Sequence, residues 1–170
     1  MGARLLPRNL PELFAYCLVL EREATKRYAE LERYLRAAGV TELADEFERL
    51  GREEKEQYEL IALGTAGREL PELAGWELGW YFKDDSFKQT RAPRTTREAV
   101  AMALAFERRS QSFYSDVAEN ARADAVRAFA AEMWNDKQRH IARLETLLER
   151  ESVWEEIEAE NSEESGLPLP

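Results

Sequence analysis

The sequence of 170 residues predicts an all-α protein, an antiparallel four-helix bundle with a long crossover between its second and third helices. Apolar residues recur every three or four positions in four separate stretches, which is the spacing of one helix face. Glycine and proline are few and cluster outside these stretches. No stretch alternates apolar and polar residues as a half-buried strand would. We expect one domain over residues 1–150, followed by an acidic C-terminal tail over residues 151–170.

The first two helices are predicted from about Pro11 to Ala38 and from about Glu42 to Leu63. Proline suits the first turn of the first helix, and Gly39 ends it. Thr41 is the expected N-cap of the second helix. Gly51 lies inside that helix, where glycine costs about 1 kcal/mol relative to alanine. This glycine either permits a close approach of the neighbouring helix or has no structural role.

Residues 64 to 95 interrupt the helical pattern and contain several glycines and prolines. A connection of this length fits a crossover that travels along the bundle, with a short helix around Pro71 to Tyr81. The segment also carries large aromatic residues, namely Trp76, Trp80, Tyr81 and Phe82. We expect these side chains to cover an end of the bundle or a dimer contact, and a cofactor site is the sharper alternative.

The third and fourth helices form a second hairpin. Thr95 and Glu98 have the spacing of a capping box, so the third helix is predicted from Thr95 to about Asn120. The fourth helix follows Asp124 and reaches about Arg150. The turns within each pair of helices are short, so both pairs are antiparallel neighbours.

Charge and composition disfavour several classes of partner. The net charge is −10 and the arginines are scattered among acids, which disfavours nucleic acid. Cys17 is the only cysteine, so the chain has no internal disulfide and no cysteine-based metal knuckle. The apolar segment Leu13–Leu20 is too short to span a membrane, and no signal-peptide cleavage site follows it. We therefore expect a cytoplasmic protein. The segment is also apolar around most of the helix, and this surplus apolar surface predicts a homodimer.

Each predicted inward face carries polar residues among its apolar ones. These polar residues are Glu21, Glu54, Gln57, Glu107, Ser110, Lys137 and His140. Glutamate is almost never fully buried unless a partner neutralises its charge. The three glutamates therefore require a source of positive charge, either a metal ion or Lys137, the only lysine on these inward faces.

The two halves of the sequence repeat one pattern, because Glu21 precedes Tyr28 by seven residues and Glu107 precedes Tyr114 by seven. Over about residues 10–148, the chain resembles the rubrerythrin branch of the ferritin-like di-iron proteins. The similar segments are LEREATKRY, FERLGREEKEQ, FERRSQSFY and FAAEMWNDKQRHIARLETL. The resemblance implies a ferritin-like bundle that binds metal.

In that family, one glutamate from each of the first and third helices and a Glu-x-x-His pair from each of the other two hold two metal ions. The ligands that the resemblance implies in this chain are Glu21, Glu54, Glu107 and His140. Two positions depart from the pattern. Gln57 stands at the histidine position of the second helix, and Lys137 stands at the glutamate position of the fourth. Iron is the expected metal, with manganese or zinc as alternatives, or none if these departures disable the site.

Two alignments of the fourth helix are open. In the first, Lys137 and His140 face the core, and the apolar residues after His140 also stay inside. In the second, Asp136 takes the carboxylate position and Arg139 the histidine position. We favour the first alignment because it keeps the apolar face continuous.

Three functions follow from these alternatives. The first is a non-haem oxidoreductase acting on dioxygen or peroxide, although no rubredoxin-like cysteine domain accompanies the bundle. The second is a single-metal protein with Glu54, Glu107 and His140 as ligands. The third is a non-catalytic bundle in which Lys137 replaces the metal charge and which has a structural or interaction role. The tyrosines of the repeat are either plain core residues or hydrogen-bond donors to the ligating carboxylates. The sequence does not identify an electron donor.

Overall fold

The computed structural model describes residues 6–73 and 92–164, with side chains described as far as Arg150. This part of the chain has no strand, and its four helices are α1 (Leu10–Ala37), α2 (Thr41–Gly64), α3 (Thr96–Asn120) and α4 (Asp124–Glu164). The all-α prediction is confirmed. The helix boundaries lie close to the predicted ones, except that α4 continues beyond the end expected near Arg150.

The connection between α2 and α3 is long, as predicted, and its described parts are residues 65–73 and 92–95. Residues 71–73 are not helical, so the short helix expected around Pro71 to Tyr81 does not begin where we placed it. The rest of that predicted helix lies outside the described residues. The same applies to the aromatic residues of the crossover, which are Trp76, Trp80, Tyr81 and Phe82.

Side-chain caps begin α1 and α3. Asn9 Oδ1 accepts a hydrogen bond from the amide of Glu12 at 3.0 Å, and Thr95 Oγ1 accepts one from the amide of Glu98 at 3.0 Å. Both caps satisfy an amide that has no partner within its helix. The predicted cap at Thr95 is therefore confirmed.

The predicted cap at Thr41 is wrong, because Thr41 already belongs to α2 and Val40 precedes it without a side-chain hydrogen bond. Gly39 has a left-handed backbone with φ of 79°, which turns the chain at the end of α1. The amide of Val40 then donates to the carbonyl of Leu35 at 2.9 Å, and its side chain packs against the core. The short turn therefore serves the end of α1 and leaves no side chain to cap α2.

The interior of the bundle consists of two apolar clusters with a polar layer between them. The first cluster includes Leu13, Cys17, Leu20, Phe113, Val117, Val126 and Met133. The second includes Leu31, Leu35, Leu43, Phe47, Leu50, Val100 and Leu144. The polar residues predicted on the inward faces are buried, apart from Gln57, which is half-buried. The spacing of apolar residues thus predicted all four inward faces.

Gly51 lets α1 and α2 approach closely. A Cβ atom at this position would lie 3.0 Å from the Cβ atom of Tyr28, a separation that real Cβ atoms rarely show. The glycine therefore has a packing role, which is the first of our two interpretations. The close contact holds Tyr28 beside the polar layer.

The apolar segment Leu13–Leu20 packs within its own chain. Leu13 and Leu20 have no exposed surface, and Leu18 and Val19 are partly buried against the first cluster. Much of the apolar surface from which we predicted a homodimer is thus buried within the bundle. The homodimer stays a prediction. None of the helices in the described part of the chain is both long and apolar enough to cross a membrane.

Candidate metal centre

The polar layer brings together one glutamate from each of α1, α2 and α3 with a lysine and a histidine from α4. These residues are Glu21, Glu54, Glu107, Lys137 and His140, and none is more than 7% exposed. Lys137 and His140 lie on one face of α4 because they are three positions apart. The structure therefore adopts the first of the two alignments that we considered for this helix.

Lys137 lies among all three carboxylates. Its Nζ donates to Oε2 of Glu21 at 2.9 Å and to Oε2 of Glu54 at 2.6 Å. Oε2 of Glu107 lies 3.6 Å from the same nitrogen. An ammonium group has three donors and no acceptor, so it suits a position enclosed by carboxylates. The lysine thus supplies part of the positive charge that the buried glutamates require.

His140 connects the layer to the surface of the bundle. Its Nδ1 faces inward and lies 2.7 Å from Oε1 of Glu54 and 3.4 Å from Oε1 of Glu107. Its Nε2 faces outward and lies 2.9 Å from Oε2 of Glu53. Both nitrogens therefore have carboxylate partners, which fixes the orientation of the ring.

The two repeated tyrosines each donate to the glutamate of the other helix. The hydroxyl of Tyr28 on α1 donates to Oε1 of Glu107 at 2.7 Å, and that of Tyr114 on α3 donates to Oε1 of Glu21 at 3.0 Å. Burial, together with nearby negative charge, raises the pKa of both tyrosines well above the usual value. They are therefore neutral donors that hold the carboxylates in place.

Both cationic side chains keep their protons at neutral pH. Burial disfavours the ammonium form, but the charges of Glu107, Glu21 and Glu54 outweigh burial and hold the pKa of Lys137 well above its usual value. Burial also disfavours the imidazolium form. Hydrogen bonds with Glu107 and Glu54 outweigh it and raise the pKa of His140 to about 10. The layer therefore contains two positive charges without any metal.

The pKa values of Glu107 and Glu54 are shifted in opposite directions. Burial opposes the charged form of Glu107, but Lys137 and His140 prevail and lower its pKa to about 2. Burial and then the charge of Glu107 raise the pKa of Glu54 well above its usual value. Closely spaced carboxylates cannot all ionise without enough cations. The layer therefore favours the charged form of Glu107 more strongly than that of Glu54.

The stability of the metal-free protein should depend on pH through His140. The folded state binds the imidazole proton more tightly than the unfolded chain does. The stabilisation is therefore complete below the ordinary pKa of 6.5 and is lost as the pH rises to about 10. We expect the difference in unfolding free energy between wild type and His140→Gln to shrink over this range. Urea unfolding in EDTA measures it, and a difference that is independent of pH would contradict the expectation.

Glu54, Glu107 and His140 offer a set of ligand atoms that fits a metal ion. One atom from each residue can be chosen so that all lie within 4.8 Å of one another. Metal–ligand bonds of roughly 2.1 Å place neighbouring ligands roughly 3.0 to 3.4 Å apart. The imidazole Nδ1 is 2.7 Å from Glu54 and 3.4 Å from Glu107, close to this spacing. Oε2 of Glu107 is moreover buried without a hydrogen-bond partner, and its nearest cation, Lys137 Nζ, is 3.6 Å away.

Gln57 and Asp136, the two less certain ligands, do not join this set. Gln57 is half-buried, and its Nε2 lies 3.5 Å from Sδ of Met133. Asp136 is half-buried and pairs with the exposed Arg139 on the same helix. Glu21 is buried in the layer, but its oxygens accept from Tyr114 and Lys137.

A cleft of about 190 Å³ between α2 and α4 leads to the layer. Its lining includes Glu21, Glu54, Lys137 and His140, together with Gln57 and Asp136. A small ion or molecule can therefore reach the candidate ligands from this side of the bundle.

The sequence analysis missed Glu53 and Arg143. Arg143 Nη1 donates to Oε1 of Glu53 at 2.7 Å, while the other oxygen of Glu53 contacts His140. In the sequence, both residues look like ordinary charges on solvated helix faces. Only the packing of α2 beside α4 shows that they meet at the imidazole.

The comparisons with known proteins agree with the fold and leave the function open. No protein-family model matches the sequence, and no curated protein is similar to it. Among solved structures, the chain is similar to an uncharacterized conserved protein from Magnetospirillum magnetotacticum MS-1, with a TM-score of 0.73 and 25% sequence identity. The similarity covers 84% of this chain and 95% of that chain. The helices form a ferritin-like antiparallel bundle, as predicted.

Proposed function

We propose that this chain is a rubrerythrin-related, ferritin-like metal-binding protein that holds one divalent transition-metal ion. Glu54, Glu107 and His140 would be its ligands, and Lys137 would replace the second ion of a di-metal site. The observation that carries this proposal is that the two oxygens of the Glu54 carboxylate contact different partners. Its Oε2 contacts Lys137 at 2.6 Å, and its Oε1 contacts the imidazole of His140 at 2.7 Å.

The charges of the layer support one ion. In the metal-free state, the cations Lys137 and His140 face the carboxyl groups of Glu21, Glu54 and Glu107. With one divalent ion and a neutral imidazole, Lys137 and the ion together balance all three carboxylates. Metal binding should therefore release the proton of His140. The affinity should accordingly fall as the pH becomes acidic.

The donor set of one imidazole and two carboxylates suits iron, manganese or zinc. When bound, iron supplies chemistry with dioxygen or peroxide, which is the oxidoreductase activity that the rubrerythrin resemblance implies. The residues of the chain control the surroundings of the site. Tyr28 fixes one oxygen of Glu107, Lys137 keeps a proton beside Glu54, and the cleft between α2 and α4 admits small molecules.

Metal titration should give at most one tightly bound ion per chain. Metal-free protein is loaded with Fe²⁺ or Mn²⁺ without oxygen, dialysed, and analysed by elemental mass spectrometry. His140→Ala and Glu54→Ala should each lose the ion, because each removes a ligand from a set of three. Glu56→Ala is the matched control, since Glu56 is an exposed carboxylate on the same helix.

The outcome separates this proposal from two others. Two retained ions per chain would mean that Lys137 leaves the layer and that a complete di-metal site forms. No retained ion in a folded protein would favour a non-catalytic bundle with a structural or interaction role. That second candidate is supported by the two positive charges that Lys137 and His140 already provide without metal.

A further inference from the structure

We infer that Glu53 and Arg143 form a clamp that positions the imidazole of His140 for the metal ion and strengthens metal binding. The inference rests on the proposed function, because the ion is the one assigned to Glu54, Glu107 and His140. Glu53 and Arg143 are positioning residues, since neither belongs to the ligand set and both act through the ring of His140.

The clamp is a chain of two short polar contacts on the outer side of the imidazole. Oε2 of Glu53 lies 2.9 Å from Nε2 of His140, and Oε1 of Glu53 lies 2.7 Å from Nη1 of Arg143. A second nitrogen of Arg143 lies 3.6 Å from Oε2 of Glu46, which precedes Glu53 by two turns of α2. Arg143 thus bridges two carboxylates of α2, which holds Glu53 against the ring.

The local sequence explains why the clamp and the site coincide. Glu53 and Glu54 are adjacent on α2, so one side chain turns toward the edge of the bundle and the other turns inward. His140 and Arg143 are three positions apart on α4 and share a face. The pair on α2 therefore supplies the ligand Glu54 and the orienting residue Glu53. The pair on α4 supplies the ligand His140 and Arg143, which holds Glu53 in place.

A metal-binding imidazole needs its free lone pair to face the ion. When Nε2 donates its hydrogen to a carboxylate, Nδ1 is left to bind, and the ring also becomes a stronger donor. Without Glu53, the ring could turn or adopt the other tautomer at no cost in hydrogen bonding. Replacement of such outer partners commonly lowers metal affinity about 10- to 100-fold.

Zinc affinity tests the clamp directly. Competition with a chromophoric chelator gives the Kd for Zn²⁺ of wild type, Glu53→Gln, Glu53→Ala and Arg143→Met. We expect Glu53→Ala to weaken binding about 10- to 100-fold and the other two variants to weaken it less. Glu56→Gln is the control for loss of one negative charge on α2. The side chains of Glu53 and Arg143 are 45% and 35% exposed, so these variants should fold.

Nuclear magnetic resonance reports the orientation of the ring without any measurement of activity. His140 is the only histidine in the chain, so every imidazole ¹⁵N signal belongs to it. In the Zn²⁺ form of the wild type, we expect Nε2 to keep a proton that exchanges slowly with water. In Glu53→Ala this proton should exchange faster, because its acceptor is gone.

Failure of the clamp and failure of the metal site give different results. If the wild type binds Zn²⁺ and Glu53→Ala matches Glu56→Gln in both affinity and proton exchange, the clamp is wrong and the metal site stands. If the wild type binds no Zn²⁺, the proposed function fails, and the clamp fails with it.

Discussion

Replacement of Lys137 by methionine is expected to destabilise the metal-free protein by about 3–5 kcal/mol. Methionine keeps much of the volume of the side chain, but it removes the ammonium that contacts Glu21, Glu54 and Glu107. The carboxylates must then take up protons or remain buried as uncompensated charges. Either change disfavours the folded state relative to the unfolded chain.

Urea unfolding in EDTA at neutral pH, followed by circular dichroism, measures this effect. The matched control is Arg139→Met, which removes a nearby cation of α4 that pairs with Asp136 and whose side chain is 72% exposed. That change should alter the free energy of unfolding by less than about 0.5 kcal/mol. Equal stability of wild type and Lys137→Met would show that the lysine does not neutralise the layer, and the single-ion proposal would lose its main support.

The fold was predictable because one physical rule governs most of it. Apolar residues at helical spacing marked the inward faces, and Gly39 and Thr95 marked the end of one helix and the start of another. The same rule located the site, because a glutamate on an apolar face requires a partner. This rule identifies Glu21, Glu54 and Glu107 as candidate site residues from the sequence alone.

The pairing of polar side chains was not predictable from spacing alone. Tyr28 follows Glu21 on α1, yet it donates to Glu107 of α3, because helix packing brings those two groups together. Two alignments of α4 that differ by one residue place either Lys137 or Asp136 in the core. The spacing of apolar residues is compatible with both. Glu53 carried no signal, since a charge at the edge of a helix is usually solvated.

Conversion of the lysine into a glutamate tests the single-ion proposal from the opposite direction. The double substitution Lys137→Glu with Gln57→His is expected to raise the metal content from one ion to two ions per chain. It restores both positions at which this sequence departs from the Glu-x-x-His pattern. Gln57 lines the same cleft as Glu21 and the lysine, so a histidine there would face the vacated position.

The charges explain why both changes are needed. Four carboxylates with two neutral imidazoles are balanced by two divalent ions, just as three carboxylates with Lys137 are balanced by one. Gln57→His alone leaves the ammonium between Glu21 and Glu54, so its metal content should stay at one. Lys137→Glu alone adds a carboxylate to a buried layer without a second imidazole, so its metal-free form should be less stable than that of the wild type.

Elemental analysis after dialysis, combined with unfolding in the presence and absence of Mn²⁺, distinguishes these outcomes. In the double variant, the ions should restore the stability that the metal-free form has lost, because they bind only the folded state. A double variant that still retains one ion, while folding normally, would show that Lys137 is not what limits the wild type to one ion. The limit would then lie in the carboxylate of Glu21, which would have to be held by Tyr114 too firmly to bind a metal.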